Sequence, residues 1–141
     1  MQRRSFIRQS CGLCMAIAGS TSLVSLLNSC TPLPMYKTRS LNGEIKIPLS
    51  EFAQTDYVII RPDDVDFDIA VVKTNTDAFK ALVMLCTHAD NRVQFNGNEF
   101  RCNLHGSMFD RLGKVEKGPA AKPLKSLLLR KENEKLVITL S

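Results

Sequence analysis

Two short clusters of cysteine and histidine constrain the fold of this chain more than any other feature of its sequence. The first cluster is Cys86-Thr87-His88 and the second is Cys102-Asn103-Leu104-His105, with thirteen residues between them. Both histidines of the chain, and two of its five cysteines, lie in these clusters. The fold must therefore bring together two loops that each supply one thiol and one imidazole.

The segment between the two clusters is predicted to form a hairpin. Asn96-Gly97 lies between Val93-Gln94-Phe95 and Asn98-Glu99-Phe100. The Asn-Gly pair tolerates the positive φ angles of a tight two-residue turn. Short antiparallel strands on either side of this turn would return the chain to its starting point. We therefore expect the two clusters to lie side by side.

From Asn42 onward the pattern predicts an all-β domain. Short runs in which apolar residues alternate with polar ones are typical of half-buried strands. Ala81–Leu85 is instead continuously apolar, as in a strand covered on both faces, and it leads directly into Cys86. A small antiparallel β-sandwich or barrel is the expected fold class, with one helical turn at Ser50–Ala53. The other predicted strands are Ile45–Leu49, Tyr57–Ile60, Phe67–Val72, Leu127–Leu129 and Leu136–Leu140, with a second turn at Lys131–Lys135.

Two interpretations fit two thiols and two imidazoles. A tetrahedral site could hold a structural Zn²⁺ ion. Alternatively, the cysteines could bind one iron of a [2Fe–2S] cluster and the histidines the other. Zinc sites usually take paired ligands of one kind from each short motif, whereas each motif here is mixed. The mixed order favours the diiron cluster, because each loop then gives one ligand to each iron.

The sequence resembles the Rieske iron–sulfur family over about residues 42–141. The resemblance rests on Cys-Thr-His, then Cys-x-x-His-Gly-Ser-x-Phe-Asp, then Gly113 and Gly118-Pro119. It implies a cluster-binding subdomain that is inserted by two loops into an antiparallel β-sandwich or barrel. The gap of thirteen residues is slightly shorter than the family's usual spacing, which favours a tight hairpin. The implied ligands of one [2Fe–2S] cluster are Cys86, His88, Cys102 and His105.

The resemblance also implies roles for residues around the cluster. Ser107 matches the position whose hydroxyl donates to a bridging sulfide, whereas Phe109 stands where the family has a tyrosine that donates to a cysteine sulfur. Gly118-Pro119 resembles the proline loop that covers the cluster. High-potential members of the family have two cysteines, joined as a disulfide, at the positions of Asn91 and Leu104. Neither residue is a cysteine here, so the two ligand-bearing loops are not cross-linked. Because one hydrogen-bond donor to sulfur is retained and one is lost, we expect a reduction potential in the middle of the Rieske range of about −150 to +300 mV.

Residues 1–29 are predicted to be an export signal. Arg3-Arg4, followed by Ser-Phe-Ile-Arg, resembles a twin-arginine signal. The apolar run after it is shorter and more polar than a typical membrane-spanning helix. Leu26–Cys30 resembles a lipobox, which makes Cys30 the expected lipidation site, although an uncleaved anchor helix or plain cleavage nearby is the alternative. Residues 30–41 carry two prolines and are expected to tether the anchor to the domain.

These features predict single-electron transfer by an exported, membrane-tethered subunit or carrier. The expected partner is a cytochrome, a quinol-oxidising complex or a periplasmic oxidoreductase. No catalytic residue is assigned, because both histidines are used and an oxygenase needs further ligands for a mononuclear iron. A ferredoxin-like donor to an oxygenase is the alternative, against which the export signal argues. Nucleic acid is not an expected partner, because residues after 29 hold 16 lysines and arginines against 14 acids.

Overall fold

The computed structural model describes residues 33–140, which form two predominantly antiparallel sheets and confirm the predicted all-β class. None of the helical structure in this range is long and apolar enough to cross a membrane. The predicted export signal and the predicted lipidation site at Cys30 lie outside the described residues. The strands are β1 (Met35–Thr38), β2 (Glu44–Pro48), β3 (Tyr57–Pro62), β4 (Ile69–Lys73), β5 (Phe79–Val83), β6 (Gln94–Phe95), β7 (Glu99–Arg101), β8 (Met108–Asp110), β9 (Val115–Lys117), β10 (Ser126–Glu132) and β11 (Lys135–Thr139).

The larger sheet has seven strands in the order β1-β3-β4-β5-β10-β11-β2. All of its neighbouring strands are antiparallel except β1 and β3, which are parallel. Its β5 and β10 pair through Leu82 with Ser126 and through Ala81 with Leu127. The residues between these two strands therefore leave the sheet and return to it at adjacent positions.

The smaller sheet has four strands in the order β6-β7-β8-β9, all of them within the insertion between β5 and β10. Its strands are only two or three residues long. Both Cys/His clusters lie in the loops that enter and connect these strands. This arrangement matches the expected cluster-binding subdomain.

The insertion covers one face of the larger sheet, and this changes the burial of β4. We expected a half-buried strand at Phe67–Val72, but Ile69–Val72 are all fully buried. Ala70 and Val72 pack with the core of the inserted sheet, whereas Ile69 and Val71 pack into a second core on the opposite face. Alternation along the strand is therefore present, but both faces are covered.

The predicted hairpin forms with its turn one residue later than expected. Phe95 pairs with Phe100, and the backbone N–H of Asn96 donates to the carbonyl of Glu99. The turn is therefore centred on Gly97 and Asn98. The side-chain oxygen of Asn96 accepts from the N–H groups of Asn98 and Glu99 at 3.0 and 2.9 Å, which fixes this register. Of the two expected turn residues, only Gly97 has a positive φ, at 97°.

The remaining predicted elements differ from the structure mainly at their ends, whereas β8 and β9 were not predicted. The helical turn is a 3₁₀ turn at Leu49–Phe52, one residue earlier than predicted. The turn expected at Lys131–Lys135 is shorter, because β10 continues to Glu132 and only Asn133-Glu134 connect it to β11. Residues 35–38, which lie in the segment expected to be a tether, form β1 against β3.

Candidate cluster site

The first ligand loop, Cys86–Arg92, is closed at both ends by backbone hydrogen bonds. The N–H of Cys86 donates to the carbonyl of Asn91 at 2.7 Å, and the N–H of Asp90 donates to the carbonyl of Cys86 at 2.8 Å. Leu85 and Arg92 form an isolated antiparallel bridge at its base. The loop therefore holds Cys86 in the interior, 1% exposed, and leaves His88 exposed.

The second ligand loop, Cys102–Ser107, connects β7 to β8. The N–H of Cys102 donates to the carbonyl of Ser107, and the N–H of Gly106 donates to the carbonyl of Cys102, both at 2.9 Å. Gly106 has a φ of 77°, a left-handed conformation that glycine adopts without steric cost. Here too the cysteine is buried, at 1% exposed, and His105 is exposed.

The four candidate ligands form two pairs. Cys86 and Cys102 are free thiols in the interior, where the Cys86 thiol donates to the sulfur of Cys102. The His88 and His105 rings lie at the surface with their centroids 5.2 Å apart and their planes at 84°. Within residues 33–140, no three His, Cys, Asp or Glu side chains are grouped as they would be around one metal ion. A diiron cluster with two protein ligands on each iron requires this paired arrangement.

The surroundings of Cys102 favour its thiolate form. Burial raises the pKa of the Cys102 thiol, but hydrogen bonds from the backbone N–H groups of His105 and Leu104 and from the Cys86 side chain outweigh burial, so the pKa lies below its ordinary value. The thiolate is the form in which cysteine binds a metal. The backbone of the second ligand loop thus prepares its cysteine for coordination.

A third loop, Gly118–Lys122, is attached to both ligand loops. The N–H of Ala120 donates to the Ser107 hydroxyl at 3.0 Å. The hydroxyl of Thr87, between the two candidate ligands of the first loop, donates to the carbonyl of Lys122 at 2.6 Å. The exposed Gly118-Pro119 pair opens this loop. We call it the proline loop. No role was predicted for Thr87 from the sequence, although its place inside the Cys-x-His motif was a usable signal.

The residues that the resemblance placed around the cluster are found in contrasting positions. Ser107 is fully buried, and because its oxygen accepts from Ala120, its own proton is available to another acceptor such as a sulfur. Phe109 is fully buried in β8 opposite Phe100 and carries no hydroxyl. At the two disulfide positions, Asn91 uses its carbonyl to close the first loop, and Leu104 is 59% exposed.

Aromatic stacking and one arginine hold the hairpin against the larger sheet. Phe95 stacks on Phe100 with 4.2 Å between ring centroids, and Tyr57 of β3 meets the edge of Phe95 at 5.1 Å. Arg111 donates to the carbonyl of Gly97 in the hairpin and pairs with the Asp56 carboxylate at 2.8 Å. Arg111 was not predicted from the sequence, because its partners are distant in the sequence and no local motif points to them.

Comparison with known proteins identifies the family. The Rieske [2Fe-2S] domain family matches residues 47–128. The cytochrome b6-f complex iron-sulfur subunit 1 of Nostoc sp. is 44% identical over 57 residues, which cover 39% of this chain and 32% of that protein. The corresponding subunit of Chlorobaculum tepidum is 24% identical over 142 residues, which cover 99% of this chain and 76% of that protein. The chain therefore spans about a third of the length of the first relative.

A solved structure shows the same fold. The plasma membrane Rieske protein PetC3 from Synechocystis PCC 6803 superposes with a TM-score of 0.56 at 21% identity, covering 67% of this chain and 98% of that protein. The family binds one [2Fe–2S] cluster, and the two donor pairs described above fit that group better than the single zinc ion that the sequence left open. The family match covers more than half of the chain, and the chain therefore belongs to the Rieske [2Fe-2S] domain family.

Proposed function

We propose that this chain transfers single electrons through a [2Fe–2S] cluster, with two cysteines on one iron and two histidines on the other. The observation that carries this proposal is the paired arrangement of buried thiols and exposed imidazoles. When bound, such a cluster takes up and releases one electron at a time. The ligands in this proposal are Cys86, His88, Cys102 and His105.

Different residues of the chain have different roles around such a cluster. The burial of both thiols keeps water from the cysteine end, and the N–H groups of Leu104 and His105 donate to Cys102. Ser107 supplies a buried hydroxyl proton that stabilises added negative charge. The exposed imidazoles bring the histidine end to the surface, where an electron partner can approach. The arrangement supports transfer between proteins, and it assigns no substrate-converting step to the chain.

The proposed setting is an exported, membrane-tethered subunit or carrier. Its partner is a cytochrome, a quinol-oxidising complex or a periplasmic oxidoreductase. The names of the relatives, which are cytochrome b6-f complex iron-sulfur subunits, support this class of partner. Arg3-Arg4 and the lipobox-like sequence before Cys30 support export and a lipid anchor.

A ferredoxin-like electron donor to an oxygenase is the second candidate. One observation favours it: Asn91 and Leu104 occupy the positions at which the high-potential family members have a disulfide. The twin-arginine motif argues against it, because an oxygenase donor works in the cytoplasm. Fractionation of cells expressing the full chain separates the two proposals. Recovery in the membrane fraction, lost in Cys30→Ser, supports the tethered carrier, and recovery in the cytoplasm supports the donor.

The electron-transfer proposal is tested by spectroscopy of the full chain purified with its cluster. We expect two irons and two sulfides per chain and a paramagnetic signal that appears on reduction with dithionite. His105→Ala should lose the signal, whereas Lys135→Glu, at the far turn of the larger sheet, should keep it. A colourless protein that contains stoichiometric zinc and gives no signal would refute the proposal.

A further inference from the structure

The charges around the candidate cluster site are unevenly distributed. The segment from Lys114 to Lys125, which contains the proline loop, carries four lysines and one acid, Glu116. The first ligand loop carries one negative residue, Asp90, and one positive residue, Arg92. The second ligand loop carries no acid, lysine or arginine. The proline-loop side of the site is therefore the positive side.

Two of these lysines stand directly beside the ligand loops. Lys117 in β9 pairs with Met108, the residue after Ser107. The carbonyl of Lys122 accepts the hydrogen bond from Thr87, between Cys86 and His88. One lysine thus flanks each ligand loop.

Both of these lysine side chains project into solvent without a counter-ion. Lys117 and Lys122 are exposed. The ion pairs found in residues 33–140 involve other groups, and neither lysine takes part in one. The carboxylate of Asp110, two residues beyond Met108 in β8, is engaged by the N–H groups of Leu112 and Lys114 in its own turn. The positive charge of the two lysines is therefore not balanced by acids bound to them.

An exposed apolar side chain lies at the same end of the molecule. Leu104, between Cys102 and His105 in the second ligand loop, is 59% exposed. Protein interfaces commonly combine an apolar centre with a charged rim. Leu104 and the two imidazoles supply such a centre, and Lys117 and Lys122 supply a positive rim.

We propose that Lys117 and Lys122 form a docking surface for a redox partner protein whose contact surface is acidic. The proposal rests on the electron-transfer function above and adds the charge of the partner and the side from which it approaches. Positive charge beside the site accelerates encounter with an anionic surface and guides it toward the exposed imidazoles. The effect weakens with salt, because the Debye length falls to about 10 Å at 0.1 M ionic strength.

Two small redox probes of opposite charge test this surface on the full chain with its cluster. Hexacyanoferrate(III) is anionic and tris(phenanthroline)cobalt(III) is cationic. Each takes one electron from the reduced cluster, giving iron(II) or cobalt(II) and the oxidised cluster. Stopped-flow mixing at low and high salt gives the second-order rate constants. Lys117→Glu/Lys122→Glu should react about tenfold more slowly with the anion at low salt and faster with the cation.

The matched control is Lys46→Glu/Lys135→Glu, which makes the same change in net charge. These exposed lysines lie near the β10–β11 turn, at the opposite end of the seven-residue β10 from the proline loop. The control should change both rate constants by less than twofold. Equal effects of the two double variants, or rate constants that salt does not change, would overturn the docking surface.

Two further measurements, of the reduction potential and of vesicle binding, complete the test of this surface. A rate change that is fully accounted for by a shift in reduction potential would overturn the proposal. Binding to phosphatidylglycerol vesicles that Lys117→Glu/Lys122→Glu abolishes, with unchanged probe kinetics, would make the surface a membrane contact and would also overturn it. If the wild-type cluster is reduced and reoxidised, but its rate constants do not depend on the charge of the probe, the docking surface alone is refuted. A chain that accepts no electron refutes the proposed function itself.

Discussion

The hydroxyl of Thr87 donates a 2.6 Å hydrogen bond to the carbonyl of Lys122, 35 residues away in the sequence. The bond joins the first ligand loop to the proline loop. The N–H of Ala120 makes the corresponding link to Ser107 in the second ligand loop. These two hydrogen bonds connect three loops in a member of the family that lacks cysteines at the two disulfide positions.

Thr87→Val should weaken this connection without changing the shape of the side chain. The hydrogen bond contributes about 1 kcal/mol, and water can reach the carbonyl of the exposed residue Lys122 once the hydroxyl is gone. We expect the visible absorbance of the cluster to bleach at a lower temperature. Thr87→Ser, which keeps the hydroxyl, should bleach like the wild type. Equal bleaching temperatures for all three proteins would show that the bond does not secure the cluster.

Ser107→Ala should lower both the stability and the reduction potential. The substitution leaves the buried N–H of Ala120 without its acceptor, a cost of about 1–3 kcal/mol. It also removes a hydroxyl proton that stabilises the negative charge added on reduction. Denaturant unfolding and potentiometric titration measure the two effects. A variant that is less stable but keeps its potential would limit Ser107 to a structural role.

Phe109→Tyr should shift the potential in the opposite direction. The resemblance implies that a hydroxyl at this position donates to a cysteine sulfur, and Phe109 is fully buried in β8. An added donor favours the reduced cluster, so we expect a higher potential than in the wild type. The reduction potential of the Ser107→Ala/Phe109→Tyr double variant should lie between those of the two single variants. A lower or unchanged potential in Phe109→Tyr would mean that the new hydroxyl does not reach a sulfur.

Local sequence patterns were sufficient to predict the parts of the site that depend on short motifs. Each ligand loop is closed by its own backbone hydrogen bonds, and the hairpin between them depends on Asn96 and Gly97. The structure accordingly brings Cys86 to Cys102 and His88 to His105.

The features that were missed depend on contacts between distant residues. Arg111 pairs with Asp56, 55 residues away. The full burial of β4 arises only once the insertion covers the larger sheet. Strand β1 follows a proline and is only four residues long, so its pairing with β3 leaves no periodic pattern in the sequence.

The stability of the hydrogen bonding at the end of β1 should depend on pH through the carboxylate of Asp64. The backbone N–H and the hydroxyl of Ser40 donate to the Asp64 carboxylate, and these hydrogen bonds lower the pKa of Asp64 from its ordinary 3.8. The stabilisation is therefore present at neutral pH and is lost as the pH falls below that ordinary value. The protection factor for hydrogen exchange at the N–H of Asp63, which donates to the carbonyl of Thr38, should then fall.

Two asparagine variants test this at neutral pH, where hydrogen exchange is simplest to follow. Asp64→Asn should accelerate exchange at the N–H of residue 63, because a neutral amide is a weaker acceptor than a carboxylate. Asp63→Asn, which leaves the Ser40–Asp64 bonds intact, should not. Slow exchange in Asp64→Asn would show that Ser40 is held by other contacts.

Gly113 should be the glycine at which an added methyl group is most damaging. It has a φ of 81°, and a Cβ there would lie 3.0 Å from a methyl carbon of Leu82 and 3.1 Å from the Cβ of Leu124. Both leucines are buried, so neither has space to move away. Gly113 thus allows the turn between β8 and β9 to pack directly on β5.

Gly106→Ala separates the conformational cost from the steric one. Gly106 has a similar φ of 77°, but a Cβ there would meet nothing within 4 Å. We expect Gly106→Ala to lower the free energy of unfolding by about 1–2 kcal/mol, the cost of a left-handed alanine. Gly113→Ala should lower the free energy of unfolding by about 1–3 kcal/mol more than Gly106→Ala does, because steric overpacking adds to the same conformational cost. Denaturant unfolding of the two variants measures the difference, and equal losses would show that the inserted sheet can shift away from Leu82 at no cost.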